Sequence, residues 1–301
     1  MGRIKTSLEL FESSWSVMKK NKTLLFFPVI VLVFILMIMI FFLSSVVLLD
    51  TGDMLPEIIN ARNWPGMADR VTFLTANYKL AFSVIGAGVY LIAVFLATFF
   101  NVAFYNEILH ALNGNSVSIA RGIGAAWSKI KLILIWSLFA GLVGMIIKTL
   151  EERLSFVGRW IMTFIGFSWS VASVFIVPVI IREEKTSNPV RLLKTSASML
   201  HRTWGEAVTG YVGFSSLFLI GLLVIVPLFI IALIFAGQVI SNLWVIIAML
   251  LLIFISLLAF GCLYSVMAHI YRCALYVYAT EGIIPGPYDE EMMNMCWKVK
   301  R

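Results

Sequence analysis

The residues most able to do chemistry lie in the stretch "FFNVAFYNEILHAL" at 99–112, where Glu107 and His110 follow a run of apolar side chains. Glu-x-x-His places a carboxylate and an imidazole on one helical face, the spacing used by carboxylate-bridged di-metal sites. Such a site needs a second copy and two further carboxylates, and the sequence has no other Glu-x-x-His. The pair therefore reads first as polar residues at a membrane boundary. His269 and Arg272 end another apolar run, and Asn101 precedes Glu107 by six positions, so Asn101, Glu107, His110, His269 and Arg272 form one candidate polar cluster, with Glu107 expected to pair with Arg272.

Thr163, Gly166, Ser170 and Ser173 share one face of an apolar run that ends near Pro178. Small and hydroxyl-bearing residues let helices approach and bond across an interface, and the same face would line a narrow polar path. Ser137, Gly141 and Gly144 in one run, and Gly205, Thr209 and Gly213 in another, read as helix-packing faces that also suit contacts between copies. Nucleophile elbows, zinc-protease helices and phosphate-binding glycine loops are absent from the sequence. Cys262, Cys273 and Cys296 have no paired spacing that would mark a disulfide framework or zinc module. No cofactor or metal is expected, and the chain reads as non-enzymatic.

The elements that must position these residues are membrane helices. Apolar residues make up 61% of the chain and charged ones 13%, with a mean hydropathy of +0.97; globular domains usually hold about 45–50% apolar residues. The net charge of +7 then reflects basic loops, and nucleic acid is not an expected partner because no basic, aromatic-interleaved domain is present. Six runs are long enough to cross a bilayer, near 24–49, 80–104, 130–147, 160–181, 207–236 and 243–268. Pro227 predicts a kink or tilt in the fifth. Lys131 is the one formal charge inside these runs, where it can snorkel to the interface. The lack of intramembrane carboxylates argues against an ion-coupled transporter.

Seventeen of the 23 Lys and Arg residues fall on the side of the N-terminus, the 105–131 and 182–206 segments and the tail 271–301. Basic residues accumulate on the cytoplasmic side, so both termini are expected inside a prokaryotic cytoplasmic membrane, with the 50–79 loop outside. An amphipathic helix is predicted at 4–20, and similar stripes precede the third and fifth runs. The three sets superpose with constant offsets: Leu8, Ala120 and Val190; Phe11, Ile123 and Leu193; Trp15, Trp127 and Ala197; Met18, Ile130 and Leu200. The chain thus reads as three units, each an interfacial helix followed by a two-span hairpin.

Five blocks in order, "FFNVAFYNEILHAL" at 99–112, "GAAWSKIKLILIWSL" at 124–138, "SWSVASVFIVPVI" at 168–180, "TSASMLHRTWGEA" at 195–207 and "YATEGIIPGPYDEE" at 278–291, resemble an uncharacterised family of prokaryotic six-pass membrane proteins, a domain of unknown function. The layout more loosely resembles the membrane portion of glycerophosphodiester phosphodiesterases, without their catalytic domain. The resemblance implies an all-α polytopic membrane fold and assigns no active-site residues. Three functional readings follow. The first is a non-enzymatic protein that organises membrane or protein assembly as an oligomer, through membrane lipid and through protein partners at its interfacial helices. The second is a passive channel or permease-like pore, and the third a lipid-handling enzyme.

Overall fold

The computed structural model describes residues 3–49, 72, 76–184, 187–202, 219, 221–231, 234 and 243–288. These residues are all-α, with no strand among them. In chain order the elements are α1 (Arg3–Lys20), a 3-10 turn (Lys22–Leu25), α2 (Phe26–Leu49), α3 (Lys79–Leu112), α4 (Ile119–Ser128), α5 (Ile130–Arg153), α6 (Phe156–Ala172), α7 (Ile176–Arg182), α8 (Pro189–Arg202) and α9 (Leu243–Glu281). Residues 221–231 are also helical, continuously through Pro227. Most of the fifth expected span, together with Gly205, Thr209 and Gly213 and nearly all of the 50–79 loop, lies outside the described residues.

Among the described residues, five helical stretches are long and apolar enough to cross a membrane: Lys22–Phe42, Lys79–Leu112, Ile130–Arg153, Phe156–Arg182 and Ile247–Tyr278. Their burial is uneven. The buried core is built from Leu10, Val17 and Phe27, from Phe99 to Leu112, from Ala126 to Trp136, from Phe175 to Ile180, and from Val266 to Val277. The far halves of the same helices turn large apolar side chains outward, Ile40, Leu80, Val84, Ile146, Phe164 and Leu252 among them. So large a contiguous apolar surface is not tolerated in water and suits hydrocarbon. The packed end is the end that carries α1, α4 and α8.

Sequence explains the ends and breaks of these helices. α3 runs eight residues past the expected span end and closes on Gly114, whose φ of +78° a side chain would resist. The Asn115 amide donates to the His110 carbonyl and the Gly114 amide to that of Ala111, the bonding pattern of a Schellman cap. The fourth span is two helices: Pro178 has no N–H to give the Val174 carbonyl and its ring crowds that group, so the chain breaks between Ala172 and Ile176. Ser196 of α8 fills the break, its hydroxyl donating to the Ala172 carbonyl at 2.7 Å and accepting from the Phe175 amide at 3.1 Å.

The three interfacial helices keep the offsets read from sequence, but the buried stripe is rotated from the expected one. Equivalent positions Leu10, Gly122 and Leu192 are buried, as are Ser14, Ala126 and Ser196. Trp15 and Trp127, expected within the stripe, instead stand on an outer edge. The reason is close approach: small residues let α1, α4 and α8 press against the bundle, and the bulky indoles are left outside.

Candidate functional site

The expected polar cluster is divided among three places. Glu107 is fully buried, and its carboxylate accepts from the Ser118 amide at 2.7 Å, from Arg121 Nε at 3.0 Å and Nη2 at 2.6 Å, and from Asn106 Nδ2 at 3.1 Å. Its cation is therefore Arg121, fourteen residues on, and not Arg272 as the sequence suggested. The correction follows from the turn at Gly114, which folds α4 back along α3. Ser118 caps α4 by accepting from the Arg121 amide, and Arg121 also donates to the Ser116 carbonyl. The hydrogen bond to Glu107 holds the Arg121 guanidinium above its ordinary pKa. The two-pronged geometry is the strong form of such a pair and makes Glu107 a clamp between helices.

The clamp depends on Gly122. A Cβ there would stand 2.8 Å from the Ala103 carbonyl oxygen, 2.9 Å from Glu107 Cγ and 3.2 Å from Phe27 Cζ. Phe27 also stacks on Phe104, with ring centroids 5.2 Å apart, which closes the floor of the packed end.

His110 points elsewhere. It lines a pocket of about 270 Å³ with Asn106, Asn113, Arg182 and Glu281. Arg182 pairs with Glu281, and the guanidinium lies 6.0 Å from the Tyr276 ring centroid. Among the described residues no group of three or more His, Cys, Asp or Glu side chains is placed to hold a metal ion, so Glu107 and His110 are not brought together as ligands.

Asn101 and His269 meet at a third place, a cavity of about 300 Å³ between α2, α3 and α9. The wall is apolar, from Val31 and Ile35 of α2, Phe100 of α3, and Leu257 and Leu258 of α9; Asn101, Ser265 and His269 supply the polar atoms at one end. His269 Nδ1 lies 2.6 Å from the Ser265 carbonyl. A carbonyl only accepts, so Nδ1 carries the proton, and Nε2 is left as an acceptor whenever the ring is neutral.

The remaining expected faces are mostly spent inside the chain. Cβ atoms at Gly141 and Gly144 would come within 2.6 Å of Leu91 Cδ2 and 2.5 Å of the Tyr90 hydroxyl, so both glycines serve the α3–α5 contact. Ser137 is buried on the same helix, and its hydroxyl has no hydrogen-bond partner among the described residues. Ser170 and Ser173 donate to carbonyls of their own helix, and Thr163 bonds the Arg159 carbonyl and Glu151. Thr163 and Ser170 are exposed, Gly166 and Ser173 half-buried. Sequence reasoning missed Arg121, Ser196, the Arg182–Glu281 pair and the buried contact of Ser14 with Tyr288. Ser14 spends its one proton on the Leu10 carbonyl, so the Tyr288 hydroxyl donates to it at 2.8 Å.

Fold and site define an all-α protein whose described residues include five helices long and apolar enough to span a membrane, with polar side chains gathered at one packed end. A family model described as a family of unknown function, DUF6159, matches residues 80–286, and the chain belongs to that family. No curated protein and no solved structure matches. The looser likeness to glycerophosphodiester phosphodiesterases finds no support.

Proposed function

We propose that this is a non-enzymatic, multi-pass protein of a prokaryotic cytoplasmic membrane, with both termini inside, that organises membrane or protein assembly as a homo-oligomer. The observation that carries this reading is the outward edge of the interfacial helices at the packed end. Trp127 is 67% exposed, and Trp15, Ile123 and Val190 on α1, α4 and α8 are exposed beside it in kind. At 10 and 14 residues α4 and α8 are too short to span, and α1 is interrupted by polar residues and carries Lys19 and Lys20 in its last turn. An apolar edge with an indole and nearby basic residues suits the headgroup boundary of an inner leaflet or a second protein seated there. Seventeen basic residues on the same side support the orientation.

The pore reading draws less support, because the hydroxyls of Ser170 and Ser173 are used by their own helix. Assembly is tested by Trp127→Cys in a chain whose three native cysteines are replaced by alanine. Oxidation in native membranes should join copies through position 127, and cysteine at buried Ala126 should not. Monomer alone from the position-127 variant would contradict the proposal.

A further inference from the structure

The cavity between α2, α3 and α9 has a shape and a polarity that the packing of the protein does not require. Its α2 wall runs from Phe27 to Ile35 and its α9 wall from Leu257 to His269. At 1.5 Å of rise per residue these walls are roughly 12 and 18 Å long, so the space is a slot and not a round pocket. Its volume of about 300 Å³ stands at the lower end of the roughly 300–1,000 Å³ found for ligand sites. No Lys, Arg, Asp or Glu lines it.

Asn101 decides what the slot would take. The residue sits in a 34-residue apolar helix, yet among the described residues its side-chain amide makes no hydrogen bond within the protein. A polar group in hydrocarbon without a partner is costly. An amide facing a slot at that depth is satisfied by a ligand that brings both a donor and an acceptor. His269, with Nδ1 committed to the Ser265 carbonyl, adds an acceptor at the same end. We propose that this slot binds a single-chain amphiphile with an uncharged, hydrogen-bonding head, of the monoacylglycerol or long-chain alcohol class. The head is held by Asn101 beside His269, and the chain lies between α2 and α9 toward Ile35 and Leu257. A charged head is disfavoured because no countercharge lines the slot, and a volume of about 300 Å³ suits one chain better than two.

The inference rests on the membrane-embedded reading and not on assembly. The test uses the full chain in phosphatidylcholine nanodiscs with a monoacylglycerol carrying a diazirine on its chain, photolysed and mapped by peptide mass spectrometry. Saturable labelling is expected at Val31, Ile35, Leu257 and Leu258. Asn101→Leu should lower it at least fivefold without changing labelling at the outward Phe164. Gly261→Phe, built from a position with nothing within 4 Å of its Cβ, should block the slot while leaving Asn101 in place. Labelling that does not saturate, that survives both variants, or that a diazirine phosphatidylcholine reproduces equally at the slot would overturn the proposal. Trp127→Ser leaves slot labelling intact if the two readings are independent, so failure of assembly and failure of ligand binding are separable.

Discussion

Replacing Gly122 by alanine puts a methyl group 2.8 Å from the Ala103 carbonyl oxygen and 2.9 Å from Glu107 Cγ. Ordinary contact begins near 3.4 Å. The carbonyl is backbone inside α3 and cannot rotate away, and Glu107 is pinned by Arg121 and Ser118. Overpacking of this kind costs about 1–3 kcal/mol. Alanine also stabilises a helix by about 0.5–1 kcal/mol over glycine, which partly offsets the clash. Gly124, two residues on in the same α4, isolates that offset, because a Cβ there meets nothing within 4 Å. Gly124→Ala should therefore be stabilising, and Gly122→Ala less stable than Gly124→Ala by about 1–3 kcal/mol, the propensity gain cancelling between them. Thermal unfolding of both full-length variants in one detergent, followed by tryptophan fluorescence, measures the difference. A Gly122→Ala midpoint equal to or above that of Gly124→Ala would refute the close docking of α4 on α3.

Other consequences concern the polar contacts. Arg121→Ala strands a fully buried carboxylate and should lower the unfolding midpoint more than Glu107→Gln does; the double variant should recover part of the loss, because the uncompensated charge is gone. Ser196→Ala removes the partner of the Phe175 amide and Ala172 carbonyl and should cost about 1–3 kcal/mol, read in the same unfolding assay. Burial raises the Tyr288 phenol above its ordinary pKa, so the folded chain holds that proton more tightly than the unfolded one. The contribution is intact below the ordinary tyrosine value of about 10 and is lost as pH rises above it. Unfolding midpoints from pH 8 to 11 should fall less steeply for Tyr288→Phe than for the unaltered chain.

The helical plan was legible because long apolar runs and basic loops have few other meanings in a chain this hydrophobic. The constant spacing of the three interfacial helices was legible too, since it is a local periodicity. Their rotation was not. Ser14 and Trp15 are neighbours roughly 100° apart on a helix, and a hydrophobicity stripe follows the tryptophan, while close packing selects the serine. Pro178 reads in the sequence only as the end of a small-residue face, and neither the break it makes in the fourth span nor the repair by Ser196, which joins positions more than 20 residues apart, was legible there. Glu107 was recognisable as a polar residue at a helix end; its partner was not, because membrane depth pointed to Arg272 and the turn at Gly114 chose Arg121. Asn101 and His269 were grouped with Glu107 by depth, and only the helix azimuths separate them into the slot.

Assembly through the interfacial edge is tested most directly by native mass spectrometry of the full chain extracted with its surrounding lipid, beside a Trp15→Ser, Trp127→Ser double variant. A discrete homo-oligomer from the unaltered chain and a shift toward monomer in the variant are expected. A monomer from the unaltered chain, or an oligomer indifferent to both substitutions, would contradict the proposed role.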